Sequence, residues 1–580
     1  MMTNSDRSMY RSRGTARQGI AVFLLLSCFL LGTGWSPSLA AEVQPLGEKE
    51  RREYALLSPF EFKNELGDAA KATAEGKPVY NAGRGNPNFI NTRVRLAFSM
   101  LHRFAVEQAW PAEIGVDLAY PLRQAPGMAA AFKTFLAAQD DQDSAAFLSR
   151  SMEYAQKQLG IAPDDFTAGM VGAILGDYYP VPSRMLTVPE KVVEAYIKEL
   201  HFPDGAIPAE RFNLFATEGA TAAMNYTFKT LKENFLIAPG DKIALITPIF
   251  SPYIEIPVLN DFELEPIYVA ASEDSGWQVP DAELDKLRNP EIKALFMVNP
   301  MNPGAVSMSR ESVERIAEVI KSDRPDLFVL TDTVYSPFVD EFHDVLQVIP
   351  ENTIGVFSYS KYVGVTGWRL GVIFIQDDNV FDRMLQALPE AKKQLLRKRY
   401  ETVTPDPDAI PFIERLLMDS RDVALAHTGG LSTPQQAIMT LFSLYELLDT
   451  EKVYKRGIQT LLQSRMALLY KALGTQAPQG PTQTSYYNLV NLRDLAARLH
   501  GPEFAAYITE TFTPFDLLMH LARAYQTVLL PGVGFAGPDW TVRVSLANLP
   551  DENYTVIGQN LVAMMADFHQ YWQRKSAQNN

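Results

Sequence analysis

Between Arg211 and Ile375 the chain alternates short, continuous apolar runs with stretches of helical period, and nothing else in the sequence limits the fold as strongly. The runs are Asn213 to Thr217, Lys242 to Thr247, Ala294 to Val298, Phe328 to Thr331, Thr353 to Tyr359 and Leu370 to Ile375. A strand that is apolar throughout has no face for water, so it belongs in a mainly parallel sheet covered by helices on both sides. The expected fold class is therefore α/β.

The flanking segments read differently. Residues 42–91 form an arm and a charged helix ending in the turn Val79-Tyr80-Asn81-Ala82-Gly83-Arg84-Gly85-Asn86-Pro87, whose glycines let backbone approach a ligand. Residues 92–170 carry apolar positions at helical spacing and read as a helical addition. The sheet-bearing part spans 171–445, with a charged helical insertion at about 385–428 and a long amphipathic helix starting near Pro434. The remainder, 446–580, contains the strand-like run Trp540 to Ser545. A chain of 580 residues exceeds what one hydrophobic core organises, which implies two packed domains.

Residues 1–41 have the order of a secretory signal peptide: Arg7, Arg11, Arg13 and Arg17, then the apolar run Ile20 to Leu31, then small residues through Ala40 and Ala41. The expectation is export to the periplasm, with the cytoplasm the location if the signal does not act. No apolar run reaches the ~18 residues of a membrane span, so no stable anchor is expected after processing. The segment takes four arginines and one aspartate, a net +3, so the formal charge moves from -15 to -18. It also takes the lone cysteine, Cys28, leaving no residue for thiol catalysis or a disulfide. The acidic balance speaks against nucleic acid as a partner. Seven histidines with no H-E-x-x-H arrangement give no reason to expect a metal.

The chemistry concentrates in Ser358-Tyr359-Ser360-Lys361-Tyr362-Val363-Gly364-Val365-Thr366-Gly367-Trp368-Arg369-Leu370-Gly371. Burial at a strand end favours the neutral amine that an imine-forming lysine needs, and an arginine eight residues on offers a planar fork to a phosphate. In Ala216-Thr217-Glu218-Gly219-Ala220-Thr221 a glycine turn joins a strand to a helix, whose free N–H groups favour an anion. Phe250 follows another strand and by itself reads more readily as a core residue than as a ligand contact. Asp332 follows a third and reads equally as a helix N-cap. Arg543 lies in a strand with apolar neighbours, a costly place for a charge that meets no anion.

Taken in order, these segments resemble the fold-type I pyridoxal-phosphate-dependent aminotransferases. The match adds Asn299-Pro300-Met301-Asn302-Pro303-Gly304, where Gly304 and Ala305 replace the family's Thr-Gly, and Leu431-Ser432-Thr433-Pro434-Gln435. The resemblance implies a large domain with a mainly parallel seven-stranded sheet covered by helices, and a smaller α+β domain formed by both chain ends. It implies pyridoxal 5'-phosphate as cofactor, carried covalently by Lys361. Its phosphate would be held by Gly219, Ala220, Thr221 and Arg369, and Ser358 and Ser360 would also bind the cofactor. Phe250 would stack on the ring, Asp332 would pair with the ring nitrogen, and Asn302 and Tyr335 would meet the phenolic oxygen. Arg543 would clamp the substrate's α-carboxylate, with Asn302 beside it.

The departures narrow the family. The helical additions, the loop around Arg84 and the segment Gly176-Asp177-Tyr178-Tyr179-Pro180 resemble the aspartate 4-decarboxylases, which also transaminate aspartate. That implies L-aspartate as substrate, alanine and CO2 as products, and 2-oxo acids as further substrates. Arg84 would be a substrate-site arginine. Tyr179 would reach the phosphate of a neighbouring subunit, with Tyr178 competing for the role, in a homodimer or larger assembly. A plain aminotransferase for another amino acid shares every cofactor residue and stays open, as does a non-catalytic regulatory protein that binds the cofactor.

Overall fold

The computed structural model describes residues 41–111, 117–121, 125–202, 210–259, 261–421, 427 and 429–579. The export segment lies outside them but for Ala41, and so does part of the insertion expected at 385–428. The central sheet has seven strands: β1 (Phe212–Thr217), β2 (Lys242–Thr247), β3 (Glu265–Ala270), β4 (Ile292–Val298), β5 (Phe328–Asp332), β6 (Thr353–Ser358) and β7 (Gly371–Gln376). Their spatial order is β1-β7-β6-β5-β4-β2-β3, and only β7 runs antiparallel to its neighbours.

Six strands fall where the apolar runs are, within a residue or two. The seventh, β3, has no such run. It lies at one end of the sheet, and Val269 is its one buried residue while Tyr268 stands 42% exposed; β1, at the other end, is covered by helices Thr187–His201, Ala220–Glu233 and Phe412–Asp419 and stays buried. A strand covered on one flank needs no continuous apolar signal.

The helix expected near Pro434 spans Thr433–Leu448, but it is not amphipathic: twelve of its sixteen residues are buried. The cause is the helical addition. Helices Thr92–Glu107, Gln142–Leu159 and Pro163–Leu175 pack on its outer side, and Thr187–His201 closes the rest. A helix surrounded by helices keeps no polar stripe.

Both chain ends share a second core. Val43, Phe62, Leu66 and Ala82 pack in one cluster with Leu469, Val490, Leu517, Val544 and Phe568. A three-stranded antiparallel sheet of β8 (Tyr487–Asn491), β9 (Leu530–Pro531) and β10 (Thr541–Ser545) belongs to it. The arm is fixed by ionic contact, since Arg51 Nε lies 3.0 Å from Asp516 Oδ2 and the buried Asp516 also accepts the Leu46 amide at 2.8 Å. Tyr80 and Asn81 pair in parallel with Thr527 and Val528. That pairing delivers the loop at Gly83–Gly85 to the sheet.

Candidate active site

Because β1, β2, β4, β5 and β6 are parallel, their carboxyl ends and following turns gather at one edge, the usual place for a ligand in an open α/β sheet. A cavity of about 430 Å³ opens there. From the sheet side it is lined by Ala220, Thr221, Phe250, Asn302, Asp332, Tyr335, Ser358, Ser360, Lys361 and Arg369. From the two chain ends it is lined by Phe60, Lys63, Arg84, Tyr487 and Arg543.

One end of the cavity is a polar cup. Gly219 has φ 86°, and a Cβ there would lie 2.6 Å from Arg369 Nη2, so only glycine lets the guanidinium reach the start of the Ala220–Glu233 helix. No side chain caps that helix, which leaves its first N–H groups beside Arg369. Arg369 itself is left-handed, φ 55°, and donates from Nη1 to the Thr366 carbonyl at 3.0 Å. Ser358 Oγ lies 2.9 Å from Ser360 Oγ and 3.0 Å from the Leu370 carbonyl oxygen.

Asp332, at the end of β5, is buried. Its carboxylate accepts the Tyr253 hydroxyl at 3.3 Å and the Val334 amide at 3.2 Å. Burial pushes it up to about 6, against the pull of those donors and of the Lys361 charge. No cation touches it within the chain's described residues, so a positively charged group at the cavity floor would complete it.

At the other end, Lys361 Nζ donates to the Gly85 carbonyl at 2.9 Å, and Tyr486 donates to the same oxygen at 2.9 Å. Tyr335 OH donates to Tyr487 OH at 3.2 Å, and Asn302 Nδ2 lies 3.4 Å from Tyr335 OH. Arg543 is 1% exposed. It donates to Asn302 Oδ1 at 3.2 Å and to the Gly83 carbonyl at 3.1 Å, and its Nε has no partner. Its guanidinium carbon sits 4.2 Å from the Tyr487 ring centre and 4.7 Å from that of Phe535. Burial pushes Tyr487 up, but the charges of Lys361 and Arg543 and the Tyr335 contact outweigh it and leave the phenol below its usual value.

Comparison with known proteins now decides the family. Residues 187–559 match the model of aminotransferase class I and II. The chain belongs to that family. A bifunctional aspartate aminotransferase and L-aspartate beta-decarboxylase from a Pseudomonas species is 44% identical over 532 residues, 90% of this chain and 98% of that one. An aspartate aminotransferase from Streptomyces avermitilis is 29% identical over 174 residues, 29% of this chain and 40% of its own. Among solved structures, a single mutant of the Thermus thermophilus aspartate aminotransferase superposes with a TM-score of 0.55 at 16% identity, covering 90% of this chain and 100% of that one. The aromatic aminotransferase of Pyrococcus horikoshii gives 0.52 at 17%, covering 88% and 99%. These structures share the fold.

Pyridoxal 5'-phosphate is the cofactor of this family, and the residues fit it. The glycine cradle and Arg369 suit a phosphate, the buried Asp332 lacks a cationic partner, and the Lys361 amine projects into the same cavity. Of the residues expected from the sequence, Gly219 lies behind Arg369 and the others line one cavity, except Tyr179. That tyrosine is 71% exposed, stands edge-on to His427 at 6.2 Å and borders a separate groove with Gly430 and Gln435.

Four further residues of the site escaped sequence reasoning. Tyr253 lies in the same turn as Phe250 and had that proximity as a signal. Lys63 and Phe60 sit in an ordinary amphipathic helix, Pro59–Ala72, and Tyr487 opens β8, so nothing local marks them.

Proposed function

We propose that the enzyme converts L-aspartate to L-alanine and CO2 and transaminates aspartate at the same site. Three cations supplied by the chain ends carry this reading. Lys63, Arg84 and Arg543 converge on one cavity, and Lys63 is held below its ordinary value by burial and by the charges of Arg84 and Arg543. A substrate with two carboxylates relieves that repulsion; one with an apolar side chain does not. The Pseudomonas relative, which covers nearly the whole chain, supports the same substrate.

The cofactor, when bound, supplies an electron sink for the bonds that break at the substrate's α and β carbons. The protein does the rest. Arg543 grips the α-carboxylate with its fork, fixed in plane between Tyr487 and Phe535. Arg84 and Lys63 stand free to meet the second carboxylate. Lys361 would hold the cofactor, and its amine is placed to move the proton at the α carbon. Asp332 would pair with the ring nitrogen and keep it protonated, which is what makes the ring electron-poor.

The test is an incubation of the holoenzyme with L-aspartate and no 2-oxo acid. Alanine and CO2 are expected to accumulate through many turnovers with a minor yield of oxaloacetate. A reaction that stops at one equivalent of oxaloacetate per site, with no alanine, overturns decarboxylation and leaves a plain aminotransferase.

Two further readings belong here. The exposed Tyr179 and its neighbour Val181, 76% exposed, suit a site completed by a second subunit, so the working form is a homodimer or larger. Sedimentation at working concentration tests this, a monomer with full activity being the contrary result. The basic, apolar and small-residue order of residues 1–41 supports export, and a periplasmic protein beginning near Ala41 or Glu42 is the expected product. An intact Met1 on a cytoplasmic protein contradicts it.

A further inference from the structure

The residues flanking Lys361 are held from behind by a single helix. The Tyr359 hydroxyl lies 2.7 Å from Ser443 Oγ, and the Tyr362 hydroxyl lies 3.1 Å from Glu446 Oε2. Ser443 and Glu446 are three residues apart on the buried helix Thr433–Leu448, so they share a face. The lysine turn is therefore clamped two residues before Lys361 and one residue after it. Tyr362 is fixed further, by the Tyr454 hydroxyl on its backbone oxygen at 3.1 Å and by Phe338 standing edge-on at 5.4 Å.

Glu446 is the unusual member of this clamp. It is 6% exposed, and its Oε1 has no hydrogen-bond partner. That carboxyl borders a cavity of about 190 Å³, separate from the active site, which Lys452 and Lys455 also line. Both amines are engaged elsewhere: Lys452 Nζ lies 2.6 Å from Glu199, and Lys455 Nζ lies 3.5 Å from Asp340. Lys452 reaches only the backbone oxygen of Glu446, at 3.5 Å. The other acid nearby, Asp449, accepts the amides of Val453 and Tyr454. The phenols of Tyr196, Tyr359 and Tyr454 complete the surroundings. With these amines already paired to other acids, an ionised Glu446 has only a partial counter-charge in Lys452, whereas the neutral acid needs none.

We propose that Glu446 is a positioning residue for Lys361: it accepts the Tyr362 hydroxyl and so holds the lysine turn, loosely as a neutral acid and more firmly once ionised, when that hydrogen bond becomes charge-assisted. Burial, only partly offset by Tyr362 and Lys452, raises the carboxyl to about 8, which puts the change within reach of mild alkali. The inference rests on Lys361 as the cofactor lysine and not on aspartate as the substrate.

The test uses holoenzyme and two readouts that need no substrate: amide hydrogen exchange of the segment 359–366, and the visible absorbance of the bound cofactor against pH. The variants are Glu446→Gln, which mimics the neutral acid and does not titrate, and Tyr362→Phe, which removes the link. Between pH 7 and 9 the wild-type segment is expected to exchange up to about tenfold more slowly relative to Glu446→Gln, and the absorbance transition to shift between the two proteins. Tyr362→Phe is expected to exchange fast at both pH values, and it carries the test should Glu446→Gln not fold. A wild type that tracks Glu446→Gln at every pH, or a Tyr362→Phe as protected as wild type at pH 7, overturns the proposal. Failure of the aspartate assay touches neither readout.

Discussion

Replacing Arg543 by lysine separates charge from geometry at the substrate clamp. Lysine keeps the positive charge but loses the two-pronged donor now shared between Asn302 Oδ1 and the Gly83 carbonyl, and it loses the planar stack on Tyr487 and Phe535. A buried, hydrogen-bonded charge contact is worth about 2–5 kcal/mol. At ~1.4 kcal/mol per decade this predicts a fall in kcat/KM for L-aspartate of roughly thirtyfold to several thousandfold. Two acceptors also lose their donor, at about 1–3 kcal/mol each, so the variant is expected to melt earlier. The assay is steady-state kinetics at a temperature where the variant is folded, with cofactor absorbance measured in parallel. The Gly219–Arg369 cup lies at the opposite end of the cavity and is untouched, so the variant should keep its cofactor and a visible band. A kcat/KM within about threefold of wild type, the scale of a surface ion pair, refutes the assignment.

Lys361→Ala should lose the visible band of the covalently held cofactor and most turnover; activity above about a thousandth of wild type contradicts its role as carrier and proton shuttle. Gly85→Ala places a methyl 2.6 Å from the Tyr487 hydroxyl and 3.2 Å from Lys361 Nζ, so it should fold but turn over poorly, and unaltered kinetics contradict the close approach. Asp332 titrates near 6 in the folded chain against 3.8 as its ordinary value, so its stability contribution is fully present below about pH 4 and is lost as pH rises through 6. Cofactor-free wild type should therefore lose up to ~3 kcal/mol relative to Asp332→Asn across that window, at about 1.4 kcal/mol per unit; parallel melting curves contradict it. Bound cofactor should narrow the difference by giving the carboxylate its cation.

The legible part of this enzyme was its sheet and the residues on the sheet's own turns. A strand buried on both faces must be apolar throughout, so β1, β2, β4, β5, β6 and β7 announce themselves, and parallel strands place their carboxyl turns together. Lys361, Asp332, Asn302, Arg369 and Gly219 sit on those turns, within a few residues of a strand end, and a local pattern suffices to find them. Arg543 was legible for the opposite reason, as a charge in an apolar strand. The strand β3 was not, because unlike β1 at the opposite edge it leaves most of its residues open to water.

What only the tertiary structure decided is how distant segments close on those turns. Tyr80 and Asn81 pair with Thr527 and Val528 across more than four hundred residues, bringing Gly85 to Lys361 and Gly83 to Arg543. Lys63, Phe60 and Tyr487 enter the site through the same joining of chain ends, and no local periodicity encodes it. The helix Thr433–Leu448 is the converse case. Its start was marked by sequence, but its burial on all sides follows from the helices packed over it, and that burial leaves Glu446 with only a partial counter-charge behind the Lys361 turn.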